Sequence, residues 1–137
     1  MISQTGQYAI RAMVFLAGFQ DSRYRLAREI SSELGIPQQY LSKILLMLAR
    51  KGILQSQRGR QGGFRLKAPA REITLYGILD PIENLERVDN CILGSRACDE
   101  NKPCPLHPLW GEVRDKYLGF LNSTRLDQLI SAGIKGC

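Results

Sequence analysis

Acidic residues are missing from the stretch between Leu34 and Arg71, although the 137-residue chain holds 13 of them. That stretch carries eight basic residues: Lys43, Arg50, Lys51, Arg58, Arg60, Arg65, Lys67 and Arg71. From Glu72 to Glu100 the balance reverses, with seven acids against Arg87 and Arg96. A solvated surface normally interleaves both signs, so a block of one sign within a net charge of +6 points to a polyanionic partner, as nucleic-acid footprints do.

Other absences exclude whole classes. No run of about 18 apolar residues is present, so no helix of a bilayer-spanning kind is expected. Met1–Gln7 shows no basic region followed by an apolar block, and the expectation is a cytoplasmic protein that is not exported. Histidine occurs once, at His107, and no Gly-Lys-Ser/Thr phosphate loop or nucleophile–base pair stands out, so an enzyme is not expected. Cysteine is absent before residue 91, and three of the four cysteines then fall at Cys91, Cys98 and Cys104. Such crowding reads as metal binding or thiol chemistry rather than a disulfide frame.

What is present describes one compact domain, with 44% hydrophobic and 23% charged residues, ordinary values for a globular chain. Thr5–Phe19 places Ala9, Ala12, Met13, Leu16 and Ala17 at helical spacing, with Thr5 as the expected N-cap. A second helix is expected from Leu26 to Leu34, closed by Gly35. A third starts with Pro37 in its first turn and carries the stripe Leu41, Ile44, Leu45, Leu48 up to Arg50. Two helices around a tight Gly-containing turn make a helix-turn-helix.

Residues 53–66 then alternate, and the glycines of Arg58-Gly59-Arg60-Gln61-Gly62-Gly63 suit a hairpin, which forms a wing. Thr74 is expected to cap a short helix that Pro81 ends or bends early. A loop from Asp89 to Pro108 carries the cysteines, and a long amphipathic helix from Leu109 to Leu121 shows Leu109, Val113, Tyr117, Phe120 and Leu121 on one side, the pattern of a dimer seam. The expected fold is mainly α with a small β-hairpin, a winged helix-turn-helix with a long C-terminal dimerisation helix. Its parts are a DNA-binding domain over 1–80, a cysteine loop over 81–108, and the dimerisation helix with its tail over 109–137.

On the third helix, Gln38, Gln39, Ser42 and Lys43 lie opposite the leucines, with Tyr40 at the flank. Glutamine can pair bidentately with adenine in the major groove, and a helix N-terminus favours phosphate. Lys43 and Arg50 are expected on phosphates, as is Arg65. Arg58 and Arg60 at the wing tip suit a minor groove, whose narrow A-T stretches concentrate negative potential.

In the loop the spacing is Cys91-x6-Cys98-x5-Cys104-x2-His107. Thiolates hold iron–sulfur clusters. Zinc also takes three cysteines and a histidine, though its fingers favour closer pairs, and a reversible disulfide between two of the three stays open. Cys137, at the last position, reads as a free, mobile thiol.

These residues resemble the winged-helix regulators of the IscR and NsrR type. The likeness runs through Tyr8-Ala9-Ile10-Arg11-Ala12-Met13, Gly35-Ile36-Pro37, the wing from Arg58 to Leu66, Cys104-Pro105-Leu106-His107-Pro108-Leu109-Trp110 and Gly119-Phe120-Leu121-Asn122. It implies a transcription regulator that binds a near-palindromic double-stranded operator as a homodimer. It further implies an iron–sulfur cluster on Cys91, Cys98, Cys104 and His107 that senses redox state, nitric oxide or cluster supply.

The loop is similar to that of IscR, which implies a two-iron, two-sulfur cluster, with a four-iron, four-sulfur cluster as the alternative. The gap after Cys91 is one residue longer than in IscR. Gln7 stands where NsrR supplies an Asp ligand, and Ser42 stands where IscR carries a Glu. The family's cysteine-metabolism regulators lack the loop cysteines. The competing expectations are a cluster-free thiol redox switch and a zinc-stabilised repressor.

Overall fold

The computed structural model describes residues 2–94 and 96–132; Cys137 lies outside the described residues. Helix α1 (Gln4–Ala17) turns Ala9, Ala12, Met13 and Leu16 inward, the i, i+3, i+4, i+7 stripe of its sequence. Its cap is Ser3 rather than Thr5: the Ser3 hydroxyl accepts the Gly6 N–H at 3.1 Å. Both hydroxyls could cap, and tertiary partners divide them. Glu83 Oε1 accepts from the Ser3 N–H at 2.9 Å, while the Thr5 hydroxyl meets that of Tyr40.

Helix α2 (Ala27–Leu34) ends at Gly35, which adopts φ +65°, where a Cβ is unfavourable. Ile36 then sends its N–H back to Ser31 O at 3.2 Å and buries its side chain, turning the chain into helix α3 (Gln38–Arg50). Pro37 sits just outside that helix, not inside its first turn. Leu41, Ile44, Leu45 and Leu48 all face the core.

Because no atom lies within 4 Å of a Cβ built on Gly35, Gly35→Ala should cost backbone energy alone, about 1 kcal/mol. Urea unfolding measures this, and a variant as stable as the parent would show that the left-handed turn is not held there.

Strands β1 (Leu54–Gln57) and β2 (Gly63–Leu66) pair antiparallel, Leu54 opposite Leu66 and Gln57 opposite Gly63. They form the expected wing. A third, one-residue strand was not legible in the sequence: Arg25 exchanges two backbone hydrogen bonds with Phe64, at 2.9 and 2.8 Å. Gly63 permits this approach, since a Cβ there would stand 2.1 Å from Arg25 O.

Helix α4 (Leu75–Glu83) is capped by Thr74 as expected, but it runs two residues past Pro81. A proline removes one N–H from the ladder, and the Asn84 N–H still reaches Asp80 O at 3.0 Å before the chain turns at φ 52°.

Helix α5 spans His107–Ser123, starting two residues before the expected Leu109. Its apolar residues divide between two faces. Leu121 is fully buried, whereas Leu109, Val113 and Phe120 are at least half exposed. Helix α6 (Leu126–Ala132) follows and packs on α1. Leu126 donates to Ile73 O at 2.8 Å and Leu75 to Thr124 O at 3.0 Å, tying the end of the chain beneath α4. The architecture is a winged helix-turn-helix, mainly α with one hairpin, around a core that includes Met13, Ile30, Leu45, Leu48, Ile78 and Leu121.

Candidate nucleic-acid interface and thiol loop

Two exposed elements are the candidates for meeting DNA, the polar start of α3 and the basic wing, which adjoins the other end of that helix. No side chain among the described residues caps α3, so the N–H groups of its first turn keep their donor capacity for an incoming oxygen. Gln38, Gln39 and Lys43 are exposed around that end and Ser42 is half-buried. Tyr40 leans on Tyr8 edge-to-face, with ring centroids 5.6 Å apart, and its hydroxyl meets Thr5. It therefore braces the start of α3 against α1 while one edge stays open.

At the far end of α3, Arg50 and Arg58 share a cleft of about 370 Å³ between the helix and the wing, with Leu46 and Phe64 in its walls. Arg60 stands exposed on the loop between the strands, and neither Arg58 nor Arg60 has an ion-pair partner among the described residues.

Arg65 behaves differently. Its Nε donates to Gln55 Oε1 at 3.0 Å, its Nη1 donates to Ser22 O at 2.7 Å, and the guanidinium stacks over Tyr24 at 4.3 Å. This cation, expected on phosphates, ties the wing to the segment before α2 and stays half-buried. Strand alternation decides this, because Arg65 pairs with Gln55 on the face turned toward residues 22–25.

The cysteine loop begins after a 3₁₀ turn at Leu85–Asp89. The Cys91 N–H donates to Arg96 O at 2.8 Å and Asn90 pairs with Ala97, closing a small turn. At the other end the His107 N–H donates to Cys104 O at 2.9 Å, so Cys104 sits in the tight turn that launches α5. These two turns bring Cys91 Sγ and Cys104 Sγ to 3.8 Å.

A disulfide needs sulfurs at about 2.05 Å, whereas two thiolates on one tetrahedral metal, with bonds of about 2.3 Å, lie roughly 3.8 Å apart. The separation fits two ligands on one metal centre and equally a thiol–thiol contact, and it excludes a disulfide. Among the described residues, no three Cys, His, Asp or Glu side chains are already gathered at a single metal-binding point. Cys98 contacts Cys91 but does not complete such a set, and His107, the first residue of α5, is half-buried at the margin.

The Leu93 N–H, followed by the Cys104 and Cys98 thiols, holds the Cys91 thiol below its ordinary value. Burial pushes the Cys98 thiol up, and a negative Cys91 adds to that effect. The proton therefore leaves Cys91 before Cys98.

Two residues that sequence reasoning did not assign hold this loop to α5. The Trp110 indole N–H donates to Asn90 O at 3.1 Å, and Arg114 lies 3.9 Å from the Asp89 carboxylate. The spacing 107, 110, 114 puts both on the helix face of His107, a signal visible once the helix start is known.

The family model described as an iron-dependent transcriptional regulator, Rrf2, matches residues 2–132. The IscR regulator of Pectobacterium carotovorum is 30% identical over 131 residues, covering 95% of this chain and 79% of its own. Among solved structures, CymR, the global cysteine regulator of B. subtilis, superposes with a TM-score of 0.79 at 26% identity, covering 97% of this chain and 98% of that one. IscR of T. potens gives 0.76 at 25% identity, covering 100% and 91%.

Proposed function

The chain belongs to the Rrf2 family of transcriptional regulators and is a DNA-binding regulator rather than an enzyme; on that premise we propose that Cys91, Cys98, Cys104 and His107 hold an iron–sulfur cluster that sets its operator affinity. The observation that carries this reading is the 3.8 Å separation of the Cys91 and Cys104 sulfurs, the spacing of two thiolates on one tetrahedral metal. Cys98 and His107 close the set, as the IscR-like loop implies, and a two-iron, two-sulfur cluster is the type proposed. When bound, the cluster supplies a redox-labile centre that oxygen or nitric oxide can dismantle.

The protein's own residues convert that state into a change of shape. Cys91 and Cys104 cross-link the two ends of the loop, Trp110 and Arg114 grip the residues just before Cys91, and both sit on α5. On α5 the exposed Leu109, Val113 and Phe120 form the proposed seam of a homodimer. Ordering or releasing the loop then biases how two copies of α3 and the wing are spaced on a near-palindromic operator. Gln38, Gln39 and Ser42 face base edges, Tyr40 positions their helix, and Lys43, Arg50, Arg58 and Arg60 take phosphates or the minor groove. The operator places the protein in the cytoplasm.

Anaerobic purification followed by native mass spectrometry tests the reading. Two irons and two sulfides per subunit with visible absorption are expected. One zinc per subunit and no colour would replace the cluster by a structural ion.

His107→Ala should shorten the lifetime of the cluster in air by about tenfold or more, judged by what even an outer partner contributes to a metal site, and leave operator binding by the cluster-free protein unchanged. Equal loss of both activities would make His107 a structural residue of the α5 start.

A further inference from the structure

A second cleft, of about 570 Å³, opens between the α1–α2 connection and the wing, with Asp21, Arg23, Arg25, Arg65 and Lys67 among its walls. We propose that it binds a small ligand bearing two or more negative charges, carboxylate or phosphate, and that occupancy stiffens the wing.

Its wall holds four cationic side chains against one carboxylate. Two of the guanidiniums are fixed in advance. Arg25 is 5% exposed, lies flat over Phe19 at 3.7 Å, and spends Nη2 on both oxygens of Asp21, at 3.0 and 2.8 Å. Arg65 is pinned by Gln55, Ser22 O and the Tyr24 ring. Arg25 Nε is buried with no hydrogen-bond partner.

Burying a guanidinium is costly unless its donors are spent on a partner, and Asp21, whose side chain is 57% exposed, is a poorly desolvated counterion. The Asp21 pair alone therefore does not account for the burial of Arg25, which the Phe19 ring completes. A multivalent anion entering the cleft would meet guanidiniums already held by stacking, which match two-oxygen groups with little further loss of freedom. The volume suits a metabolite-sized ligand.

The consequence for the wing follows from the backbone. Arg25 is also the third strand, paired to Phe64 through two hydrogen bonds, so whatever fixes its side chain fixes the base of the hairpin. The cleft is set apart from the reading end of α3. Tyr8 packs on Tyr40 at that end, Ala17 walls the cleft, and the step of nine positions from Tyr8 to Ala17 on α1 spans about 14 Å. The cleft also borders the wing, so DNA phosphate is the competing occupant that a titration separates from a small ligand.

Titration of the full chain without DNA tests this, with inorganic phosphate or citrate replacing chloride at constant ionic strength, followed by calorimetry and amide NMR. Saturable binding with shifts at Arg25 and across Gly63–Lys67 is expected. Preference for citrate would assign a polycarboxylate, and preference for phosphate a phosphate-bearing ligand. Arg23→Gln with Lys67→Gln, both exposed positions, should weaken binding by about a hundredfold, the effect of two lost charge-assisted contacts, without lowering the melting temperature. Non-saturable uptake overturns the proposal. So does equal binding by that double variant, or equal loss on Arg58→Gln, which would move the anion to the DNA-facing side. None of these outcomes depends on a cluster or an operator.

Discussion

Cys104→Ser is expected to yield a protein of unchanged fold and native mass that carries no cluster and binds its operator with the affinity of the cluster-free parent. Serine keeps the size and the backbone hydrogen bond that Cys104 O accepts from His107, so the turn launching α5 persists. Cys104 is only half-buried and the loop adds little to the core, so the stability cost should stay under about 1 kcal/mol. What is lost is the thiolate 3.8 Å from Cys91 Sγ, and with it one of the two anchors that join the ends of the loop. Iron and sulfide per subunit, measured after anaerobic reconstitution, should fall from two each to the background of the assay. A variant that keeps its colour would mean that Cys91 and Cys104 do not share the centre. If the variant instead lost operator binding relative to the cluster-free parent, the loop would be part of the DNA interface itself.

The second large effect concerns the wing. Arg60 is exposed and without an ion-pair partner among the described residues. Arg60→Ala should therefore leave the fold intact while removing one phosphate contact per subunit. In a dimer that is two contacts, and at about 0.9 units of log–log salt slope for each, the slope should fall by roughly 1.8. The same counterion argument puts the affinity loss near 0.1 M salt at between about one and two orders of magnitude, on every operator alike. Fluorescence anisotropy over a salt series measures both quantities. An unchanged slope with altered preference among operators would assign Arg60 to base edges in the minor groove rather than to phosphate.

Most of the winged helix was legible along the chain because its signals are local. The stripes Ala9–Ala12–Met13–Leu16 and Leu41–Ile44–Leu45–Leu48 repeat with the helical turn, and burial follows them. Gly35 marks the turn because the left-handed region admits glycine readily. The basic block without acids announced a polyanion before any fold was considered. The candidate ligands Cys91, Cys98, Cys104 and His107 were nameable from residue type and from likeness to IscR, but how near the loop brings them was not. Cys91 and Cys104 are thirteen residues apart, and what closes that distance is a pair of turns and the hold of Trp110 and Arg114 on residues 89–90.

The division between the two sources is physical. Periodicity, capping chemistry and charge are properties of neighbouring residues, so the amino-acid order alone carries the helices, the hairpin and the sign of the partner. Competition between equivalent groups is resolved at a distance. Ser3 caps α1 because Glu83 and Tyr40 engage the two available hydroxyls differently. Arg65 is held against the domain because Ser22 and Tyr24 lie beside β2, on the side away from β1. The α5 stripe divides into Leu121, buried within the domain, and Leu109, Val113 and Phe120, left exposed, because α4 covers one side of that helix. Packing settles which of several locally adequate partners is satisfied, and with it which cations remain free to meet DNA.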